Sequence, residues 1–317
     1  MESISEWWMW VGFFMIILST LAIDAFLFGG KEVHRVSTKE ALAWSIVWFL
    51  LAIVFNALFW WYLVSHYGHD VANKKSIEFF TGYLIEKSLS VDNVFVFLMM
   101  FHYFAVPLEY QRRVLLFGVL GAIVMRLMFI LLGVWLVSQF HWILYLFGIF
   151  LVITGIKMFL FASKEPDLAK NPVLRWMRRY LRITKELHQE KLFIRIKQVL
   201  HVTPLLLVLV LIETSDLIFA LDSIPAIFAV TEDPFIILTS NIFAILGLRA
   251  LYFLLANMVE RFYLLKYGLA FILVFIGSKM LIAYWVNIPV LIALSVVVMT
   301  LVTCMVLSIF FPGFMKK

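Results

Sequence analysis

The sequence predicts an all-α polytopic membrane protein with about nine transmembrane helices, and three observations carry that prediction. Hydrophobic residues make up 64% of the 317-residue chain and charged residues 15%, and the mean hydropathy is +1.01, far from the balance of a soluble domain. Apolar runs long enough to cross a bilayer as a helix, about 20 residues or more, recur along the whole chain. Lysine and arginine fall on alternate connections between those runs, which is how cytoplasmic loops are marked.

Taken in order, the first run covers 7–28. It comes after a terminus with Glu2 and Glu6 and no basic segment, so no cleaved signal peptide is expected and this helix stays in place. A second run, 40–64, begins after Lys31, Arg35 and Lys39, and residues 1–70 form an N-terminal pair of helices. Runs at 77–104, 112–138 and 140–162 come next, then a basic connection at 163–200. Beyond it lie 202–230, 234–257 and 265–284, and a last run, 288–311, falls within the C-terminal segment 287–317. The 32 phenylalanines and 11 tryptophans suit lipid-facing surfaces and interfacial belts.

With the N-terminus outside, 19 of the 26 lysines and arginines fall on cytoplasmic connections, ten of them in 164–197; only Lys74 and Lys75 fall outside. The remaining five, Lys87, Arg126, Lys157, Arg249 and Lys279, lie within apolar runs. The reading is a multi-pass protein of the inner (plasma) membrane, N-terminus out and C-terminus cytoplasmic. The net charge of +6 is concentrated in one juxtamembrane stretch, so it implies attraction to anionic lipid at 164–197 and no nucleic-acid partner. Within it, Val173 to Ile183 has apolar residues at helical spacing, predicting a short helix on the inner membrane surface. No protein partner is legible.

Two of the runs repeat one costly pattern: an acid, five residues, an aspartate, then a small amide or hydroxyl. It reads Glu86 to Asp92-Asn93 in the third run and Asp216 to Asp222-Ser223 in the sixth. A carboxylate at mid-bilayer costs about 2.5–3.5 kcal/mol on insertion scales, so a functional site is the first expectation here. Glu213 adds a further acid one helical turn before Asp216.

Setting the two segments in register brings their successor helices into alignment too. Gly121 to Arg126 (GAIVMR) resembles Ala244 to Arg249 (AILGLR), and Gly155-Ile156-Lys157-Met158 resembles Gly277-Ser278-Lys279-Met280. The chain thus reads as two three-helix units, 77–162 and 202–284. Three is odd and the 163–200 connection returns from the same side, so the second unit runs inverted. Repeats of this kind place a binding site near the bilayer midplane, at their interface. The first two helices and the last would then be peripheral.

At about 100° per residue, Asp92 sits some 120° round an unbroken helix from Glu86, while Ser90 and Asn93 share its face better. Pro225, three residues after Asp222, removes a backbone donor. Local unwinding is expected there, freeing carbonyls and turning both acids inward. The donors are hard oxygens, suited to Mg²⁺, Ca²⁺ or Mn²⁺ rather than zinc or copper. The only cysteine, Cys304, lies in the last run and the seven histidines lie in loops or near helix ends, so disulfide, thiolate-metal and histidine-rich di-iron chemistry have no residues to use. The bland alternative is a set of ion pairs holding a bundle together, with Arg126 and Arg249 pairing to acids and Lys157 and Lys279 snorkelling to the interface.

Glu86 to Phe97 (EKSLSVDNVFVF), Glu213 to Val230 (ETSDLIFALDSIPAIFAV) and Asp233 to Asn241 (DPFIILTSN) resemble the TerC family of membrane proteins, in particular its Alx-like members, over essentially the full chain. That resemblance implies a manganese exporter and no enzyme, with Mn²⁺ as transported substrate and no organic cofactor. Carried onto this chain, it implies an ion site of Glu86, Asp92, Asn93, Asp216, Asp222 and Ser223, with Glu213 as neighbour. The acid excess makes H⁺ the expected counter-ion. Two other classes compete. An intramembrane aspartyl protease also pairs two membrane aspartates, but here they come as VDN and LDS; the other is an ion-binding scaffold or accessory subunit without transport activity.

Overall fold

Apolar runs of this length become helices because a helix satisfies its own backbone hydrogen bonds where no water is present. A computed structural model describes residues 5–310 apart from 29–36, 141, 162–170, 185, 197, 257–263, 284 and 287, and apart from the side chains of 24–28, 92, 95, 161 and 309. The first five helices are α1 (Trp7–Phe28), α2 (Thr38–Tyr67), α3 (His69–Tyr103), α4 (Leu108–Gln139) and α5 (Ile143–Phe161). The basic connection holds a short helix, α6 (Pro172–Tyr180), and an antiparallel hairpin of β1 (Phe193–Ile196) and β2 (Val199–Val202). After the hairpin come α7 (Pro204–Phe228), α8 (Pro234–Leu246), α9 (Leu248–Ala256), α10 (Leu265–Ile282) and α11 (Val290–Phe310). Among the described residues, seven helices are long and apolar enough to cross a membrane, α8 and α9 counting as one.

Helix starts obey local chemistry. Ser37 accepts from Glu40 N at the start of α2, Asn171 from Val173 N at α6, and Asp233 from Phe235 N at α8. Proline opens α6, α7 and α8, where its missing N–H has no helical partner to lose. Between α2 and α3 the chain turns in a single residue, Gly68, whose φ of +85° favours glycine.

Two elements differ from expectation. Pro225 does not unwind α7 near Asp222: the helix continues to Phe228, and Ala229 N donates to the Pro225 carbonyl. A proline in the last turn disturbs little, because the helix is ending anyway. Instead the interruption lies in the next run, at Gly247 between α8 and α9. The short helix α6 is present, but its buried residues Leu174 and Met177 pack in one apolar cluster with Leu205 and Val208 of α7, while Trp176 and Tyr180 point outward. Its apolar face is therefore taken by the protein rather than by lipid.

The α8–α9 run is the centre of the bundle, 94% of its apolar window being buried against 11% for α11. Around it, Phe13 of α1, Phe55 and Phe59 of α2 and Phe79 of α3 pack with Phe235 and Phe243, with ring centroids 4.7 Å apart for Phe55–Phe243 and 5.3 Å for Phe55–Phe79. The first two helices thus supply core as well as periphery.

Helix pairing is reciprocal: α3 packs on α8 as α4 packs on α7, α3 meets α7, and α5 lies along α10. On that last pair, a Cβ at Gly155 would lie 2.8 Å from the Ala270 carbonyl, and one at Gly277 would lie 2.7 Å from the Gly148 carbonyl. The repeat register equates 155 with 277 and 148 with 270, so the same backbone approach occurs twice. The N-terminal part of α3 and the α7–α8 and α10–α11 turns border one cavity of about 710 Å³ lined by Lys74, Lys75, Glu78, Thr231 and Asp233. Lys75 Nζ bonds Glu78 Oε2 at 2.9 Å, and Thr231 Oγ1 donates to the same oxygen at 2.7 Å, closing α3 onto the α7–α8 turn.

Because the α5–α10 contact leaves no room for a Cβ, Gly155→Val is expected to destabilise the protein by about 1–3 kcal/mol. Gly12→Val, where nothing lies within 4 Å, is expected to leave it unchanged. Thermal unfolding in detergent, read by size-exclusion of the heated protein, compares the two.

Candidate ion site

Residues seven apart on a helix stack on one face two turns along. That spacing relates Glu86 to Asn93 on α3 and Asp216 to Ser223 on α7, and all four are buried. Where the two stripes meet, Arg126 enters from α4. Its Nη1 donates to Glu86 Oε1, and to Ser223 Oγ at 3.1 Å and Asn241 Oδ1 at 3.3 Å. Its Nη2 donates to Asp216 Oδ1 at 3.1 Å and its Nε to Asp216 Oδ2 at 3.4 Å. Asn241 Nδ2 returns a bond to Glu86 Oε2 at 3.0 Å, and Asn93 Nδ2 donates to Asp216 Oδ1 at 3.3 Å. Four helices, α3, α4, α7 and α8, are tied at one point.

Two carboxylates share the Arg126 guanidinium in a setting of low dielectric, where charges must be paired, and the buried Arg249 also borders Asp216. In this geometry Glu86, Asp216 and Ser223 are engaged by Arg126 rather than facing a shared cavity. Among the described residues, no group of three or more His, Cys, Asp or Glu is arranged to hold a metal ion.

The open space lies on the next face. Asp222, six residues after Asp216, is rotated off the buried stripe and is half-buried. It lines a cavity of about 280 Å³ with Asn93, Thr154, Lys157, Met158, Leu89, Phe219 and Leu273. Asn93 therefore belongs to both places: its amide nitrogen is bonded to Asp216 and the residue borders the cavity. Asp92 lies on α3, and its side chain is outside the described residues. Glu213 is half-buried at the seam of α4 and α7, its carboxylate directly against Gly121, where a Cβ would overlap it.

The other intramembrane bases have separate tasks. Lys87 Nζ donates to the Ala244 carbonyl at 3.1 Å, in the last turn of α8, where a cation complements the helix dipole. Lys279 Nζ reaches the Ala229 carbonyl at the end of α7, 3.3 Å away. Arg249 is buried and lines a narrow crevice with Asp216, Phe97 and Leu248. Ser90, on the same side of α3 as Glu86, bonds back to the Lys87 carbonyl at 2.7 Å.

The family described as "Integral membrane protein TerC family" matches residues 71–316. This chain belongs to the TerC family. It is 56% identical over 300 residues, 95% of this chain and 94% of the relative, to the Shigella flexneri protein named Alx, for which a role as membrane-bound redox modulator is suggested. The Escherichia coli K12 Alx protein matches with the same identity and coverage, and that of Photorhabdus laumondii is 51% identical over 309 residues, 98% of this chain and 97% of the relative. No solved structure matches.

In this TerC-family chain, sequence reasoning does not single out Asn241 as a site residue. The signal is present, since an amide comes after Thr239 and Ser240 inside the otherwise apolar Pro234–Leu246 helix. Nor does spacing reveal that one arginine takes two acids from two different helices, because that depends on how the helices cross.

Removing the guanidinium leaves two buried carboxylates without a counter-charge. Arg126→Met is expected to destabilise the protein by about 3–5 kcal/mol, seen as lower expression and a lower Tm in detergent. Adding Glu86→Gln and Asp216→Asn to it is expected to recover part of that loss.

Proposed function

We propose that this TerC-family protein exports Mn²⁺ from the cytoplasm through a mid-membrane site, with H⁺ moving in exchange. The observation that carries this reading is that Asn93 and Asp222, taken from the two repeated acidic segments on α3 and α7, line one cavity beside the Arg126 network. A carboxylate and an amide are hard-ion donors. Asp222 and Asn93, joined by Asp92, would meet the ion directly. Glu86, Asp216 and Ser223 would hold Arg126 and set the local charge, and Glu213 would act at the α4–α7 seam. When the ion leaves, the surplus negative charge favours proton uptake for the return.

Movement fits the reciprocal packing. Two inverted units in contact through α5 and α10, and through the α3–α8 and α4–α7 pairs, can rock about a fixed site. We place the N-terminus outside and the C-terminus inside the inner membrane, because that orientation keeps the basic 163–200 connection cytoplasmic. Anionic lipid would meet that connection through its arginines, Trp176 and Tyr180. A redox role like that suggested for the Alx relatives would have no disulfide within this sequence to use, since Cys304 is its only cysteine.

Flux decides between a transporter and a non-transporting scaffold. In proteoliposomes holding only this protein, Mn²⁺ transport is expected, and Asp222→Asn is expected to lower it by 10-fold or more, roughly the scale of losing a metal-site partner. Collapsing the pH gradient is expected to slow transport. Wild-type liposomes with no Mn²⁺ flux above empty ones would favour the scaffold.

A further inference from the structure

The repeated Gly-x-Lys-Met segments at 155–158 and 277–280 have no part in the Arg126 network. Their surroundings differ. Met280 is buried in an apolar cluster with Leu273 and Ile276 of its own helix, whereas Met158 is half-buried at the edge of the same cluster and also borders the cavity lined by Asp222 and Asn93.

The wall that α5 gives to this cavity is set by its packing. Gly155 lies against the backbone of α10, close to the Ala270 carbonyl and Val274 N, so the rotation of α5 about its axis is fixed. Thr154 and Met158, one turn apart, then stack on one flank of that contact, and both line the cavity. Opposite them stand the Asp222 carboxylate and Asn93, whose amide nitrogen is bonded to Asp216 and whose carbonyl oxygen is thus the end suited to a cation. Leu89, Phe219 and Leu273 complete an apolar lining, with Lys157 exposed. The thioether is the one soft donor among the described residues of that lining.

We infer that Met158 is a specificity-determining residue: its thioether favours transition and soft divalent ions over Ca²⁺ and Mg²⁺ at the Asp222–Asn93 site, with Thr154 adding a hydroxyl oxygen. Ca²⁺ and Mg²⁺ bind through oxygen and gain nothing from sulfur, and a thioether where a water would sit removes one of their ligands. First-row ions accept a neutral sulfur donor more readily, and Cd²⁺ more readily still. The inference rests on the transport reading given above and names the selectivity of the same site.

The test is competition against Mn²⁺ uptake in proteoliposomes of the full chain, with Cd²⁺ and Ca²⁺ as competitors. Met158→Leu keeps the side-chain volume and is expected to weaken Mn²⁺ uptake without abolishing it, since the carboxylate and amide oxygens of Asp222 and Asn93 remain. Cd²⁺ should inhibit it about tenfold less strongly than the wild type, with Ca²⁺ inhibition little changed because leucine excludes water as methionine does. Met158→Ala, which removes sulfur and leaves room for a water, should weaken Cd²⁺ inhibition likewise and strengthen that by Ca²⁺. Unchanged Cd²⁺ and Ca²⁺ inhibition in both variants, with Asp222→Asn still abolishing uptake, would overturn the role of Met158 alone. Uptake by Asp222→Asn equal to wild type would instead overturn the site itself, and this inference with it.

Discussion

Everything at the centre of this bundle depends on Arg126 lying between Glu86 and Asp216. A charge taken out of water costs several kcal/mol unless it is paired and its remaining donors and acceptors are bonded. The planar fork of a guanidinium can meet two carboxylates on different sides, which an ammonium cannot do with the same geometry. Asn241, Ser223 and Asn93 then satisfy the remaining positions. Since these partners come from α3, α4, α7 and α8, the network fixes how each of those helices is rotated. A slip of any one by a single residue would turn its polar side chain away and leave a buried charge exposed to hydrocarbon.

The interruption at Gly247 is set by the same arrangement. Glu86 and Lys87 are neighbours in sequence, so they leave α3 about 100° apart. The carboxylate goes to Arg126 and the ammonium to the Ala244 carbonyl at the end of α8. A Cβ at position 247 would lie 2.6 Å from Lys87 Nζ and 3.1 Å from Trp48 Cβ, so a side chain there would press on both α3 and α2. The ending of α8 leaves backbone carbonyls without helical partners inside the membrane, and Lys87 supplies a donor for one of them. Discontinuous helices with carbonyls at membrane depth are tolerated where protein covers them, and the α8–α9 run is the most enclosed of the membrane-crossing helices among the described residues.

The acidic residues therefore divide into two groups with different physical roles. Glu86 and Asp216 are committed to a guanidinium and give the core its charge balance. Asp222 sits one face away and borders the cavity that Asn93 also lines. Asn93 connects the groups, so a change in charge at the cavity is felt at Asp216 through a single hydrogen bond. That connection gives the proposed exchange of a metal ion for a proton a short physical route.

Composition and run length were enough to identify a polytopic helical membrane protein, because a bilayer admits few backbone solutions and imposes them on long apolar stretches. Each expected run holds a helix, and membership of the TerC family was legible in the segments around Glu86, Asp216 and Asp222. The helix period also placed Asn93 with Glu86, because about 100° per residue is a local property. Local rules were insufficient for Pro225, whose effect depends on where its helix ends, and for Gly247, whose close neighbours are Lys87 and Trp48 on other helices. They were insufficient too for Asn241 and for the double pairing of Arg126, which exist only once α4 and α8 cross α3 and α7. Sequence by itself determined which segments enter the membrane and which buried polar residues they carry, since transfer free energy depends on residue type and run length alone. Only the tertiary structure decided which of those polar groups pair with one another and which face a cavity, because that comes from helix crossing and rotation, set by contacts between residues far apart in the chain.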